Sequence, residues 1–412
     1  MSAGEIIGGL LLVVLAGGLN GSWNVAFSDR FGLAVPVTKE EVDVDYHLAW
    51  ALFQWYAAVI NIPICLYWAG GPRRVTWLVT SQASTFELVA IVAFSGLWGL
   101  GSVGFGWACR IAGIGLGTNL TMGVIMILGT LLPLLMDDDN EDDLADDDKR
   151  NRIILSKSLI GTGLLVCTVG LFFSMKSLST RDSDEQQSKE TTKSTRITEV
   201  AAGTTDVQED APVTAAEKTD PKDPVTTTSP DTMQSAEVSP STVFKVGVCV
   251  FAGIFAAMLQ FAFVFGNTLV DQAGANEDGP GETPASGAAA IIWLFAISIS
   301  APVSIVYGIY SSPIPISTLW RCPLKRHLLV LLTTSIPWVG HIHCYGYSSQ
   351  LLNPSVSWPI LMMTTVATGM VWSIVLGEWK EASTKSRRQL YVGLTVVLLG
   401  VVILMTSVIP NE

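Results

Sequence analysis

Charge is scarce in this chain. Only 15% of its 412 residues are Asp, Glu, Lys or Arg, against about a quarter in an ordinary soluble domain, while 49% are apolar and the mean hydropathy is +0.45. That balance excludes a water-soluble globular domain. Cysteine is sparse too: Cys65, Cys109, Cys167, Cys249 and Cys344 fall inside apolar runs and Cys322 stands alone in a loop, so no disulfide framework is read. There is no nucleophile–base pair, no phosphate-cradling glycine loop after a strand, and no pair of metal ligands at helical spacing. An enzyme, a metal site and a cofactor are therefore not expected. The formal net charge of -12 leaves no basic footprint, and no nucleic-acid partner is expected.

What is present is a set of long apolar runs. A helix needs about 20 largely apolar residues to cross a bilayer. Ten runs qualify, near 6 to 27, 47 to 69, 87 to 109, 113 to 136, 153 to 175, 244 to 266, 287 to 310, 327 to 349, 352 to 377 and 389 to 409. The short alternating segments of a closed barrel are missing, so the expected class is an all-α integral membrane protein with lipid around it. The first run lacks a basic flank and reads as a retained span rather than a cleaved signal peptide. The sequons at Asn20 and Asn119 lie inside such runs and read as chance.

Acidic residues collect in two places, "MDDDNEDDLADDDKR" after the fourth run and a Ser/Thr-rich stretch between the fifth and sixth. The second is too polar to offset its ordering entropy and reads as a disordered linker over residues 176–243. It separates two five-helix units, residues 1–175 and 244–412, which match position by position. Ala16, Gly17, Asn24, Ala26 and Phe27 recur as Ala252, Gly253, Gln260, Ala262 and Phe263. Pro63 matches Pro302, "WGLGSVGFGW" matches "WVGHIHCYGY", Gly129 matches Gly369, and G-L-x-V-x-x-x-G occurs at Gly163–Gly170 and at Gly393–Gly400. Five helices per unit means that the second enters the membrane from the opposite side, giving two inverted repeats suited to alternating access. Lys and Arg gather in the loops with Arg110, Arg181, Lys325, Lys380 and Arg388, which puts that side and the linker in the cytosol and leaves the choice between plasma membrane and endomembrane open.

The middles of the spans carry no Asp, Glu, Lys or Arg, a placement that costs about 3 kcal/mol or more per charge and is retained mainly for function. A phosphorylated or nucleotide-linked cargo would recruit Lys or Arg, and a cationic drug a carboxylate. The polar inventory is neutral instead, and amides with aromatic faces suit a polyhydroxylated solute. Candidate substrate-binding residues are Asn20, Trp23, Asn24, Trp98, Asn119, Gln260, Trp338, Tyr345 and Trp358. Each has a bland alternative as helix glue, interface anchor or packing residue. His341 and His343 are candidate proton carriers. Two residues apart, they point about 200° away from each other on a helix, so at most one faces a given cavity.

"LWGLGSVGFGWACRIAGIGLGTNLTMG", "ILGTLLP", "AGIFAAMLQFA" and "SWPILMMTTVATGMVWSIVLGEWK" together resemble the L-rhamnose/proton symporter family, a ten-helix branch of the drug/metabolite transporter superfamily. Trp98, Gly101, Arg110, Gly113, Gly117, Gly253, Trp358, Gly369 and Glu378 keep that family's spacing. The resemblance implies a sugar carrier with a central cavity, driven by cation influx. This sequence departs from the pattern at Asn119, where a glycine is usual, at Leu361, where a histidine is usual, and at His341 and His343. The expected function is secondary transport of a neutral, rhamnose-like monosaccharide, with protons as the candidate coupling ion. A nucleotide-sugar or other metabolite carrier of an internal membrane, and a non-transporting receptor or scaffold, stay open as alternatives.

Overall fold

The computed structural model describes residues 3–27, 46–136, 147–202, 241–275, 288–352, 354–380 and 382–406, and among these every regular element is helical. Apolar segments with no water to bond their N–H and C=O groups satisfy them internally as helix. α1 (Ala3–Ser22) tightens to a 3₁₀ turn at Trp23–Phe27. α2 (Tyr46–Trp68) precedes a short α3 (Gly71–Trp77) that opens into a π turn at Leu78–Gln82, then α4 (Thr85–Met136) and α5 (Asp147–Ala202) follow. Beyond the linker come α6 (Thr242–Phe265), a short α7 (Asn267–Ala275), α8 (Ala290–Ser311), and α9 (Leu324–Val330) with its own π turn at Leu331–Ser335. α10 (Ile336–Leu352), α11 (Pro354–Val375) and α12 (Thr384–Thr406) complete the bundle.

Nine segments among the described residues are long and apolar enough to cross a membrane, one fewer than the ten expected. The difference lies in α4, which Gly113 breaks with φ 83° and ψ 162°. A φ in that range is open to glycine and strained for a residue with a Cβ. There the chain turns back on itself: a Cβ built on Gly117 would lie 2.6 Å from the Cα of Cys109, eight residues earlier. The first arm, Thr85–Gly115, is a full-length span, whereas the second counts as a shorter apolar helix, Gly117–Thr130, although its backbone stays helical to Met136.

The fold-back exposes fresh N–H groups at the start of the second arm. Glu378, just beyond α11, covers them: its carboxylate accepts from Ile114 N–H at 3.3 Å and Gly115 N–H at 3.4 Å. An anion at a helix N-terminus is stabilising by about 0.3–2 kcal/mol. Glu378→Ala is expected to lower the thermal midpoint of the detergent-solubilised protein by several degrees, with Glu378→Gln between the two. Equal midpoints for all three proteins would refute the cap.

Glycine sets the closest helix approaches. α6 lies in the cleft of the α4 hairpin, where Gly101 meets the backbone of Phe255 and Ala256 and Gly253 meets Val124 and the Thr121 carbonyl. α1 sits against α10 and α11, where Gly17 meets Thr364 and the Leu361 carbonyl. α2 packs on α8, and α5 pairs with α12 to one side. In that pair Gly163 meets the carbonyl of Gly400 and Gly170 that of Gly393, and Ser177 and Ser386 each donate a hydroxyl to the other's backbone oxygen, at 2.7 and 2.6 Å.

Apolar side chains such as Leu11, Phe86, Leu165, Phe172, Val306 and Val375 are exposed on the outside. With nine such helices among the described residues, all of whose regular elements are helical, this is a multi-pass membrane protein. None of the six cysteines forms a disulfide, and Asn20 and Asn119 of the two sequons are buried.

The expected linker begins differently. α5 does not stop near 175 but continues to Ala202, so residues 176–202 are helical, while 203–240 lie outside the described residues. The polarity of this stretch suggested disorder, but it contains neither Gly nor Pro and is rich in Glu, Gln, Lys and Arg, so nothing in it stops a helix already nucleated in the membrane. Its first turns are also docked, with Thr180 donating to Gln389 at 3.2 Å and Arg181 to the Glu378 carbonyl at 3.4 Å. The acidic run over 137–146 likewise lies outside the described residues.

Candidate functional site

A cavity of about 80 Å³ lies between α1, α4, α6, α8, α10 and α11. Its wall includes Asn20, Trp23, Trp98, Ser102, Trp293, Trp338, His341, Tyr345 and Trp358, together with Leu361 and other apolar side chains, and no charged group is among its lining residues. Buried arginines exist, but at the ends of the bundle. Arg74 lies over the Trp77 ring at 4.8 Å and reaches the Gln272 carbonyl at 3.5 Å, and Arg326 sits on the short α9.

The sequence candidates divide into three groups. Asn20, Trp23, Trp98, Trp338, Tyr345, Trp358 and His341 all line the cavity. Asn20 is already engaged, donating to Thr365 Oγ1 at 3.2 Å and accepting from Trp23 Nε1 at 3.1 Å. Trp98 and Trp338, which match in the sequence repeat, lie nearly parallel with centroids 6.2 Å apart and 13° between planes. Gln260 stands behind the wall near Tyr345, with its methylene against Gly129, beside Trp358. Asn24 and Asn119 lie off the cavity. Asn24 donates to Thr118 Oγ1 at 3.0 Å across the α1–α4 seam, and both amide atoms of Asn119 are buried without a partner.

The two histidines face different spaces. His341 lines the central cavity with its Nδ1 unpartnered, edge-on to Trp338 with centroids 5.8 Å apart. His343 lines a second cavity and bonds Asn61 Oδ1 through Nε2 at 2.8 Å, and Asn61 in turn donates to Cys65 Sγ at 3.3 Å. An amide oxygen only accepts, so that imidazole carries its proton on Nε2 and presents Nδ1 as an acceptor. Among the described residues no cluster of three or more His, Cys, Asp or Glu could hold a metal ion.

Several buried donors around the cavity have no partner: Trp293 Nε1, Trp358 Nε1 and Gln260 Nε2, with His341 Nδ1 beside them. An unsatisfied buried donor costs about 1–3 kcal/mol, so several of them around one cavity mark a place where bonds are completed by something else. Trp293 was missed in the sequence. It stands where the first half has Gln54, counting from the matched prolines Pro63 and Pro302, and that exchange of an amide for an indole was the available signal.

No protein-family profile matches the chain, and no solved structure matches it. Curated relatives match in part. An L-rhamnose-proton symporter of Enterobacter sp. (strain 638) is 28% identical over 89 residues, 21% of this chain and 23% of the relative. One from Escherichia coli O1:K1 / APEC is 23% identical over 120 residues, 29% of this chain and 31% of the relative. The match thus spans less than a third of the length of these curated relatives. The similarity is weak and partial, and it is to sugar transporters.

Proposed function

We propose that this chain is a secondary transporter for a neutral monosaccharide, built as ten spans in two inverted five-helix repeats and working by alternating access. The observation that carries the reading is the chemistry of the cavity wall: no formal charge, five indoles, and unpartnered indole donors on Trp293 and Trp358, with Gln260 Nε2 also unpartnered behind it. Indole faces cover the C–H surface of a sugar ring, and the free N–H groups complete bonds to its oxygens. In this reading Asn20, Trp23, Trp98, Trp338, Tyr345 and Trp358 contact cargo directly, and Gln260 acts through or beside Tyr345. Asn24 and Asn119 would join only in another conformation. The partial similarity to symporters named for L-rhamnose supports the cargo class.

The repeat is supported by reciprocal contacts. Gly17 meets Thr364 and the Leu361 carbonyl, while Gly253 meets Val124 and the Thr121 carbonyl, and the two target pairs differ by the same 240 positions as Gly129 and Gly369. Gly163 with Gly400 and Gly170 with Gly393 form a seam in which each half meets its own counterpart. The second arm of α4 supplies the tenth span. The cavity is far below the roughly 300 Å³ of a typical ligand site, which fits a conformation closed around its centre. The positive-inside pattern puts the α1–α2 loop, Arg110 and the linker in the cytosol.

His341 is the candidate proton carrier, because it faces the cavity with a free nitrogen. In energised proteoliposomes, sugar-dependent proton uptake is expected to vanish in His341→Ala and to persist in His343→Ala, with counterflow of labelled sugar retained in both. An unchanged proton signal in His341→Ala would remove the coupling role and leave the carrier reading intact.

A further inference from the structure

The two ends of the bundle are filled differently at equivalent places. Gly106 follows Trp98 by eight residues in α4, as Gly346 follows Trp338 in α10. A Cβ built on Gly106 would lie 2.7 Å from the Tyr46 hydroxyl and 2.9 Å from the Trp50 ring. Behind these two the aromatic rings close on one another, with centroids of Trp23 and Phe53 at 4.8 Å, Phe27 and Trp50 at 5.4 Å, and Trp23 and Phe105 at 5.7 Å. Arg110 finishes the rim, over the Tyr46 ring at 5.3 Å and bonded to His47 Nε2 at 3.1 Å. This end is sealed.

At the other end a Cβ on Gly346 would meet only Trp293 Nε1, at 3.9 Å. The space beside it is a second cavity of about 70 Å³, bounded by Trp68, Ala289, Ala290, Trp293, His343 and Tyr347. The sequence accounts for the difference. Counted from Pro63 and Pro302, Trp50 corresponds to Ala289 and Gln54 to Trp293, so the second half places a methyl where the first places an indole. Closure at this end falls to Trp293, one helical turn deeper. Trp293 borders both cavities, is 4% exposed, and stands edge-on to Trp98 and Phe263 with centroids at 6.1 and 5.4 Å.

We propose that the second cavity is a vestibule at the Trp68–Tyr347 end, that Trp293 is the partition between it and the central site, and that the indole N–H of Trp293 and the free Nδ1 of His343 bind a hydroxyl of the cargo as it passes. The assignment of a hydroxylated cargo rests on the function proposed above; the partition does not. Trp293 donates and His343 accepts, which matches the two hydrogen-bonding roles of one hydroxyl group.

The test reads accessibility and needs no cargo. In a full-length chain whose six native cysteines are replaced, Gly346→Cys, Ser102→Cys and Arg110→Cys are exposed in turn to a membrane-impermeant methanethiosulfonate on either side of oriented proteoliposomes. Gly346→Cys is expected to react from the side opposite to Arg110→Cys. Ser102→Cys, on the wall of the central cavity, is expected to react at least tenfold faster from the Gly346 side when Trp293→Ala is added, and to stay slow with Trp293→Phe. Trp293→Leu replaces the alanine variant if that one elutes as aggregate. Reaction of Gly346→Cys from the Arg110 side or from neither side, or a Ser102→Cys rate that ignores position 293, overturns the partition. A chain that passes these tests and binds no monosaccharide overturns the cargo assignment alone.

Discussion

Gly101→Ala is expected to stop the chain from assembling into its folded bundle. The added Cβ would lie 2.2 Å from the Ala256 nitrogen, 2.5 Å from the Phe255 carbonyl carbon and 2.6 Å from the Ala256 Cα, all of them backbone. A side chain can turn away from an intruding methyl, and overpacking then costs about 1–3 kcal/mol. Here the only relief is to separate α6 from the first arm of α4, which opens the packing between α4 and α6, the most extensive helix pair among the described residues. The loss is therefore expected to exceed that range and to appear as aggregate on size exclusion. Gly161 and Gly247 are the controls: no heavy atom lies within 4 Å of a Cβ at either, and each sits within a helix. Alanine there is expected to be neutral or to stabilise by up to about 1 kcal/mol through helix propensity. A Gly101→Ala protein that elutes and melts like the wild type would contradict the interface.

The second large effect is expected at Trp338. Its ring lies parallel to Trp98, edge-on to Phe53 with centroids 5.8 Å apart, and against His341. It therefore holds the cavity wall in shape as well as forming part of it. Trp338→Ala is expected to weaken sugar binding at least tenfold, about 1.4 kcal/mol, while Trp338→Phe, which keeps a ring face, loses less than half of that free energy. Equilibrium binding of labelled sugar to the purified protein separates the two, with thermal midpoints showing whether each variant is folded. Equal affinities across the three proteins would place the ring outside the binding surface.

The architecture was legible to the extent that it is written in local pattern. Helix existence follows from apolar length, and the third and fourth runs, 87 to 109 and 113 to 136, separate in the sequence close to the break that the structure has at Gly113. The residue that covers that break was not legible, because Glu378 lies more than 260 positions from Ile114 and nothing local to either announces the other. Polarity misled at the linker. Residues 176–202 read as disorder because they are hydrophilic, yet a long apolar helix feeds directly into them and no Gly or Pro intervenes before 203.

In the candidate site, repeat position was a guide to neighbourhood but not to partner. Asn24 and Gln260 match in sequence, yet one bonds Thr118 across a helix seam and the other stands beside Tyr345 and Trp358. Their different reach, one methylene apart, is enough to send the two amides to different neighbours. Trp293 was not legible in the sequence, because the matching position of the first half holds Gln54 rather than an aromatic residue. Only its unpartnered N–H, on the border of two cavities, sets it apart.

The central claim is that cargo is recognised by uncharged donors and ring faces. Its most direct test is competition in proteoliposomes, with free, phosphorylated and nucleotide-linked sugars set against uptake of a labelled neutral monosaccharide. The account predicts competition by free sugars alone, with a phosphate on the ring lowering affinity by at least about a hundredfold, since no lining residue carries a charge to meet it. Competition by the phosphorylated or nucleotide-linked sugars at equal or lower concentration would contradict it.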